Sequence, residues 1–317
     1  MPAFLLHEDQ ASGTFRTMSA KKTLEFLRRP GEQPTPTEDE GARATIAGRT
    51  DVGLVRSGNE DQFVVASLER TILVEECGLE DNENTRHKDT PTGRLMMVAD
   101  GMGGQVHGEV ASVVVVDAMM QYAFSIMPWL RASGRADDEK VLAEGLTRAV
   151  HRSQERMQEV AERKGYVGDM GSTLTMGYIA WPMLYLVHVG DSRAYLHRGG
   201  RLFRLTKDHN LAEEMVAQNV LTAEEARRSR FSSVLTNSVS TSGSDLRVEL
   251  HQVELRREDR LLLCTDGLYG ELTDEQIHDR LVHVVDADLV APAVESLVKA
   301  ANKAGGKDNI TAVLGLF

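Results

Sequence analysis

STLTMGYIAWPMLYLVHVGDSRAYLHR, residues 172–198, reads as three strands in immediate succession. The runs at 172–180, 184–190 and 193–198 are apolar and rich in β-branched and aromatic residues, and only a few residues part them. Working outward, similar runs occupy 44–53, 62–67 and 94–99 before this stretch, and 246–255, 260–265 and 309–317 after it. Two long helical segments, 105–130 and 138–164, lie between the third and fourth strands, and helical pattern returns at 210–218, 222–230, 273–283 and 286–304. Strict strand–helix alternation is absent, which argues against a doubly wound parallel sheet. Grouped strands around paired helices indicate an α+β protein with antiparallel sheets packed under helices.

The chain has 317 residues, long enough for one large domain or two small ones, and 41% of them are hydrophobic, enough for a substantial core. An aromatic share of 5% argues against a protein that stacks single-stranded bases, and a net charge of −12 argues against a phosphate-backbone binder. No nucleic-acid partner is expected. The longest apolar stretch, Val113–Leu130, is broken by Asp117, Gln121 and Pro128, so a buried helix is expected there and no membrane span. Cys77 and Cys264 match no zinc spacing and form no disulfide framework. With no signal-type segment at the start, these features point to a reducing, cytoplasmic setting.

Residues 1–42 read as a flexible tail and linker. KKTLEFLRR at 21–29 suits a short amphipathic helix or a frayed end, and PGEQPTPTEDEG at 30–41 carries three prolines and four acids. The folded domain is expected over 43–317. Within it, the acidic segment 75–93 reads as a solvated loop.

Carboxylates recur at strand ends. Asp100 ends RLMMVAD before GMGG, Asp191 follows LVHVG, Asp266 follows LLLCT, Asp308 precedes the last strand, and Glu60 and Asp61 open another. One such residue is usually a turn former or a cap. Several converging in space would need a cation, and an all-oxygen set without His or Cys suits a hard ion such as Mg²⁺ or Mn²⁺. Sequence separation alone leaves both readings open.

Seven segments then occur in a fixed order: VRSGNEDQF (55–63), VADGMGGQVHGEVAS (98–112), GSTLTMGYI (171–179), HVGDSRAYL (188–196), LTKDHN (205–210), LLCTDGLYGELTDEQI (262–277) and KDNITAVL (307–314). Together they resemble the motif series of the metal-dependent PPM family, the type-2C serine/threonine phosphatases, in its bacterial form. The resemblance spans roughly 44–317. It implies a four-layer α-β-β-α sandwich with two central antiparallel sheets, and a flap subdomain at about 206–236. It also implies hydrolysis of phosphoserine and phosphothreonine on proteins, the products of serine/threonine kinases, with two core Mn²⁺ or Mg²⁺ ions and a weaker third.

By that resemblance, Asp100 bridges both core ions and the carbonyl of Gly101 binds one of them. Asp266 and Asp308 hold the first ion and Glu60 the second, with Asp61 nearby through water. Asp191 joins Asp266 at the third ion. Arg56 grips the substrate phosphate, for which its planar fork is suited, so Arg56 and Asp100 are the catalytic candidates. Two cations sharing a water lower its pKa, and the resulting hydroxide attacks phosphorus in line. The departures are Met102 where some relatives carry a histidine acid, Gln105 in place of histidine with His107 close by, Gly270 in place of an acid or amide, and Gln218-Asn219 where a glycine is common. These leave the proton donor unassigned and the flap geometry open. The alternatives are a metal-gated scaffold of the same fold and a hydrolase of small phosphoesters. No GxxxxGK[ST] loop supports a nucleotide version of the latter.

Overall fold

The computed structural model describes residues 5–8, 15–18, 44–69, 71–73, 86–88, 93–103, 107–125, 136–242 and 245–317. The strands are β1 Leu5–Glu8, β2 Phe15–Met18, β3 Thr45–Asp51, β4 Asp61–Leu68, β5 Thr71–Leu73, β6 Arg86–Lys88, β7 Gly93–Met102, β8 Gly171–Ser172, β9 Leu174–Ala180, β10 Met183–Val189, β11 Arg193–Arg198, β12 Arg201–Arg204, β13 Val239–Ser240, β14 Glu249–Glu254, β15 Arg260–Cys264 and β16 Ile310–Leu316. The α-helices are α1 His107–Ser125, α2 Ala136–Lys164, α3 Leu211–Ala217, α4 Ala223–Arg228, α5 Asp266–Tyr269, α6 Asp274–Leu281 and α7 Val290–Ala304.

Two antiparallel sheets carry the molecule. One has β7 at its centre, with β4 on one side and β8, β9, β10 and β14 on the other; β13 extends it from β8. The second runs β12-β11-β15-β16-β3. Side chains of a strand alternate between faces, and here both faces are covered. Leu95 and Met97 of β7 pack with Val114, Val115 and Met119 of α1 and Leu146 and Val150 of α2. Met96 and Val98, between them in sequence, meet Leu196, Leu261, Leu263 and Val313 of the second sheet. Leu262, Leu314 and Cys264 face away, onto Ile277 and Leu281 of α6 and Val294 and Leu297 of α7. Three stacked cores therefore give four layers, helix-sheet-sheet-helix, as the resemblance implies. Double coverage also explains why these strands read as near-continuous apolar runs rather than alternating ones.

The expected 172–180 strand is two pieces, parted at Thr173, and the 105–130 helix is described over His107–Ser125 only. Within the expected tail, β1 and β2 pair as an antiparallel ribbon. The 21–29 helix, the 30–41 linker, Gln105, Pro128 and most of 75–93 lie outside the described residues; within that last segment, expected as a loop, Arg86–Lys88 instead forms β6 and pairs with β5 just before it. No helix among the described residues is long and apolar enough to cross a membrane. The segment expected to form the flap carries α3, α4 and a 3₁₀ turn at Arg230–Ser233; it leaves the body at Asn210 and returns at Leu235, which form an isolated antiparallel bridge. Asn219 there has φ +58, a left-handed position that asparagine tolerates, so the glycine missing from the sequence pattern is replaced in kind.

Candidate metal centre

The strand ends converge at one end of the sandwich. Asp61 opens β4 directly opposite Asp100 near the end of β7. Asp191 sits in the short turn that carries the chain from β10 in one sheet to β11 in the other. Asp266 follows β15 and Asp308 precedes β16, which run side by side in the second sheet.

Each carboxylate is fixed by a local device. Asp61 is buried, and its Oδ2 accepts from the hydroxyls of Thr265 at 2.8 Å and Thr311 at 2.7 Å, while Oδ1 has no partner. The backbone N–H of Asp100 donates to Thr173 Oγ1 at 2.9 Å, and Thr173 Oγ1 lies 2.7 Å from Ser192 Oγ, tying β7 to the Asp191 turn. Asp266 is the first residue of α5, where unpaired backbone N–H groups favour an anion. Glu60 rests on the first turn of α1. A Cβ at Gly108 would stand 2.6–2.8 Å from its carboxylate, so only glycine leaves the space Glu60 uses. At Gly101, a Cβ would meet the Gly108 carbonyl oxygen at 2.0 Å. Asn309 fastens the loop that carries Glu60 and Arg56: its Oδ1 accepts from Glu60 N at 2.8 Å, and its Nδ2 donates to Val52 O and Gly58 O, both at 2.9 Å.

Burial and mutual repulsion act together on these acids. Burial lifts Asp100 well above the usual carboxylate range, and Asp61, Asp266, Asp191 and Asp308 add to the rise. Burial, then Asp266 and Asp208, do the same to Asp191, with Arg193 opposing. Asp61 is pushed up to about 7 by burial, against its two threonine hydrogen bonds. Asp266 is pushed up to about 6 by burial and Asp308, against a hydrogen bond from Asp100 and the charge of Arg56. Glu60 is raised by burial, with Arg56 opposing.

Among the described residues, no three ligating side chains form a finished cage. The acids nonetheless feel one another strongly, Asp100 and Asp266 among them. An all-oxygen, mutually repelling set with one orphaned buried oxygen, Asp61 Oδ1, fits hard divalent cations: they would relieve the repulsion and give that oxygen a partner.

Arg56 stands half-exposed at the mouth. It pairs with Asp308, Nη2 to Oδ2, at 2.7 Å, the salt bridge that any exposed arginine could form. The charges of Glu60 and Asp100 also reach it. His107 is the first residue of α1 and packs its ring against Tyr166, 4.4 Å between centroids. Gly270 ends α5 and donates its N–H to Asp266 O at 2.7 Å. Beside the acids lies a cavity of about 350 Å³, bounded by Asp191, Asp266 and Tyr269 on the body and by Glu224, Ser232 and Ser233 on the flap.

The sequence alone assigns no role to Thr173, Thr265, Thr311, Asn309 and Gly108, which set the acids in place, although all five stand within the motif segments.

A family model described as Protein phosphatase 2C matches residues 78–315. The serine/threonine protein phosphatase PstP of Mycobacterium tuberculosis is 32% identical over 280 residues, 86% of this chain and 46% of that protein. This chain thus spans about half the length of that relative. The protein phosphatase PhpP of Streptococcus pneumoniae is 30% identical over 267 residues, 84% of this chain and 94% of that one. Among solved structures, the Mycobacterium tuberculosis phosphatase PstP/Ppp superposes with a TM-score of 0.69 at 31% identity, covering 87% of this chain and 99% of that one. The catalytic domain of PstP in complex with two manganese ions gives a TM-score of 0.66 at 31% identity, covering 86% of this chain and 98% of that one.

Proposed function

Because the chain belongs to the protein phosphatase 2C family, we propose that it is a metal-dependent serine/threonine protein phosphatase, a phosphoric monoester hydrolase acting on phosphorylated proteins. The observation that carries this is the convergence of Glu60, Asp61, Asp100, Asp191, Asp266 and Asp308 at one end of the sandwich, in mutual electrostatic range. Two divalent cations, Mn²⁺ or Mg²⁺, held there would supply an activated water and neutralise charge on the phosphoryl group.

The protein's own residues do the rest. Asp100, opposite Asp61 and close to Asp266, would be shared between the two ions. Asp266 and Asp308 would hold one ion, and Glu60, with the carbonyl of Gly101, the other. Thr265 and Thr311 hold Asp61 through Oδ2, and its unpartnered Oδ1 would order water there. Arg56 pairs with Asp308 through Nη2, and its planar fork would take the oxygens of a substrate phosphate in bidentate fashion. Asp191, within reach of the Asp266 charge and on the cavity wall, would hold a weaker third ion. The cavity gives the residues flanking the phosphoamino acid a place against the flap.

The substrates in this reading are products of serine/threonine kinases, and the setting is cytoplasmic signalling. A scaffold role would be favoured by a missing carboxylate, and the sequence carries all six. The test is phosphate release from a phosphothreonine peptide. Release with Mn²⁺ that stops in excess EDTA is expected; equal release in EDTA would overturn the reading.

A further inference from the structure

At the root of the flap, one histidine ties three chain segments together. The N–H of His209 donates to Gly190 O at 2.8 Å, and the N–H of Gly190 donates back to His209 Nδ1 at 3.1 Å. Asn237 Nδ2 donates to the same Nδ1 at 2.8 Å and to Arg247 O at 2.8 Å, while Asn237 Oδ1 accepts from Arg247 N at 3.0 Å. The carbonyl of His209 accepts from Thr236 N at 2.9 Å, and His209 Nε2 meets Glu249 Oε1 at 3.1 Å. His209 and Asn237 are both buried.

The two donors aimed at Nδ1 require its lone pair, so the ring proton sits on Nε2 and points to Glu249. His209 is the last residue before the flap and Asn237 lies just beyond its return; Gly190 immediately precedes Asp191. The imidazole therefore locks the flap's exit, its return and the Asp191 turn to one atom.

We propose that His209, with Asn237, is a positioning residue. Its Nδ1 acceptor holds the flap over the cavity and holds Asp191 in place for the third ion. The proposal rests on the phosphatase reading for its effect on turnover, but the clasp itself does not depend on it. Removing the acceptor leaves the buried Gly190 N–H and one Asn237 N–H unpaired. That favours local opening of the flap and the Asp191 turn by about tenfold or more.

The test compares His209→Leu, which keeps bulk without an acceptor, with His209→Asn, whose Oδ1 can take the place of Nδ1. Amide hydrogen exchange is followed over 184–192 and 211–234 in the whole protein, without substrate, alongside Mn²⁺ titration of peptide turnover. In His209→Leu, exchange in both segments should quicken by about tenfold or more, and the Mn²⁺ needed for half-maximal turnover should rise about as much. His209→Asn should stay close to wild type in both readouts. Wild-type exchange in His209→Leu, or exchange in His209→Asn as fast as in His209→Leu, would overturn the clasp. Should His209→Leu fail to fold, Asn237→Ala decides. Faster exchange over 211–234 with residue 190 still protected supports the clasp, and unchanged flap exchange refutes it. A wild-type protein without phosphatase activity would remove the functional reading and leave the exchange result intact.

Discussion

Replacing Gly108 with alanine should separate stability from activity. The new Cβ would lie 2.6 Å from Glu60 Cδ and 2.7 and 2.8 Å from its two oxygens. Carbon–oxygen contacts settle at about 3.3 Å or more, so the carboxylate has to withdraw by roughly half an ångström or further. It is the free end of a flexible side chain and can do so cheaply. Alanine in a helix is favoured over glycine by up to ~1 kcal/mol, which shifts Tm by about 2–4 °C upward in a domain of this size if fully expressed. The fold should therefore hold its Tm or gain slightly. A ligand displaced by up to ~1 Å costs on the order of tenfold to a hundredfold in turnover, and extra Mn²⁺ should recover part of it. Gly101→Ala is the contrast, because its Cβ would strike the Gly108 carbonyl oxygen at 2.0 Å and backbone cannot step aside. That variant should lose ~1–3 kcal/mol of stability. Thermal melts and Mn²⁺ titrations of peptide turnover on both variants decide the matter. A Gly108→Ala protein with wild-type turnover and wild-type Mn²⁺ demand would refute the placement of Glu60 as a ligand.

Three further outcomes are expected. Arg56→Ala should lower kcat/KM on a phosphopeptide about tenfold or more without raising Mn²⁺ demand, since Asp308 loses a competitor; unchanged kinetics would return Arg56 to a salt-bridge role. Asp191→Ala should keep two tightly bound ions in calorimetry yet turn over more slowly; an unchanged ion count with unchanged kcat would leave Asp191 a turn residue. Stability should also depend on metal and pH together. Asp61 near 7 and Asp266 near 6 both lie above their unfolded values, so without metal they bind more protons when folded and lose stability as pH rises from ~4 to 7. Cations relieve that loss, and the Tm gain on adding Mn²⁺ should be larger at pH 7.5 than at pH 5. His188, held down at about 3 chiefly by burial, tilts stability the other way but does so with or without metal. An equal Mn²⁺ gain at both pH values would count against the carboxylate cluster.

The strands were legible because long apolar runs buried on both faces leave little ambiguity about them, whereas their stacking into four layers followed only from the family resemblance. β12 was not legible, since RLFR is short and half arginine. The signal that could have found it is Gly199-Gly200, both at positive φ, the two-residue turn that joins it to β11. The acids of the candidate centre stood out as carboxylates at strand ends, but only the family resemblance, not their spacing, grouped them into one site. The residues that aim them did not stand out. Thr173, Thr265 and Thr311 look like ordinary strand formers, and only the fold turns their hydroxyls toward Asp100 and Asp61. Gly108 reads as a poor helix residue until Glu60 is placed beside it. His209 belongs to the segment LTKDHN, but its partners Gly190 and Asn237 are far off in sequence, beyond any local pattern.

The central claim is that one cluster, shared through Asp100, holds two divalent cations. Calorimetric Mn²⁺ titration of the wild-type protein and of Asp100→Asn, with peptide turnover on the same samples, addresses it most directly. The account predicts at least two tight sites in the wild type. In Asp100→Asn both should weaken together, with turnover down by about a hundredfold or more. Two tight ions in Asp100→Asn, or the loss of one with the other untouched, would contradict it.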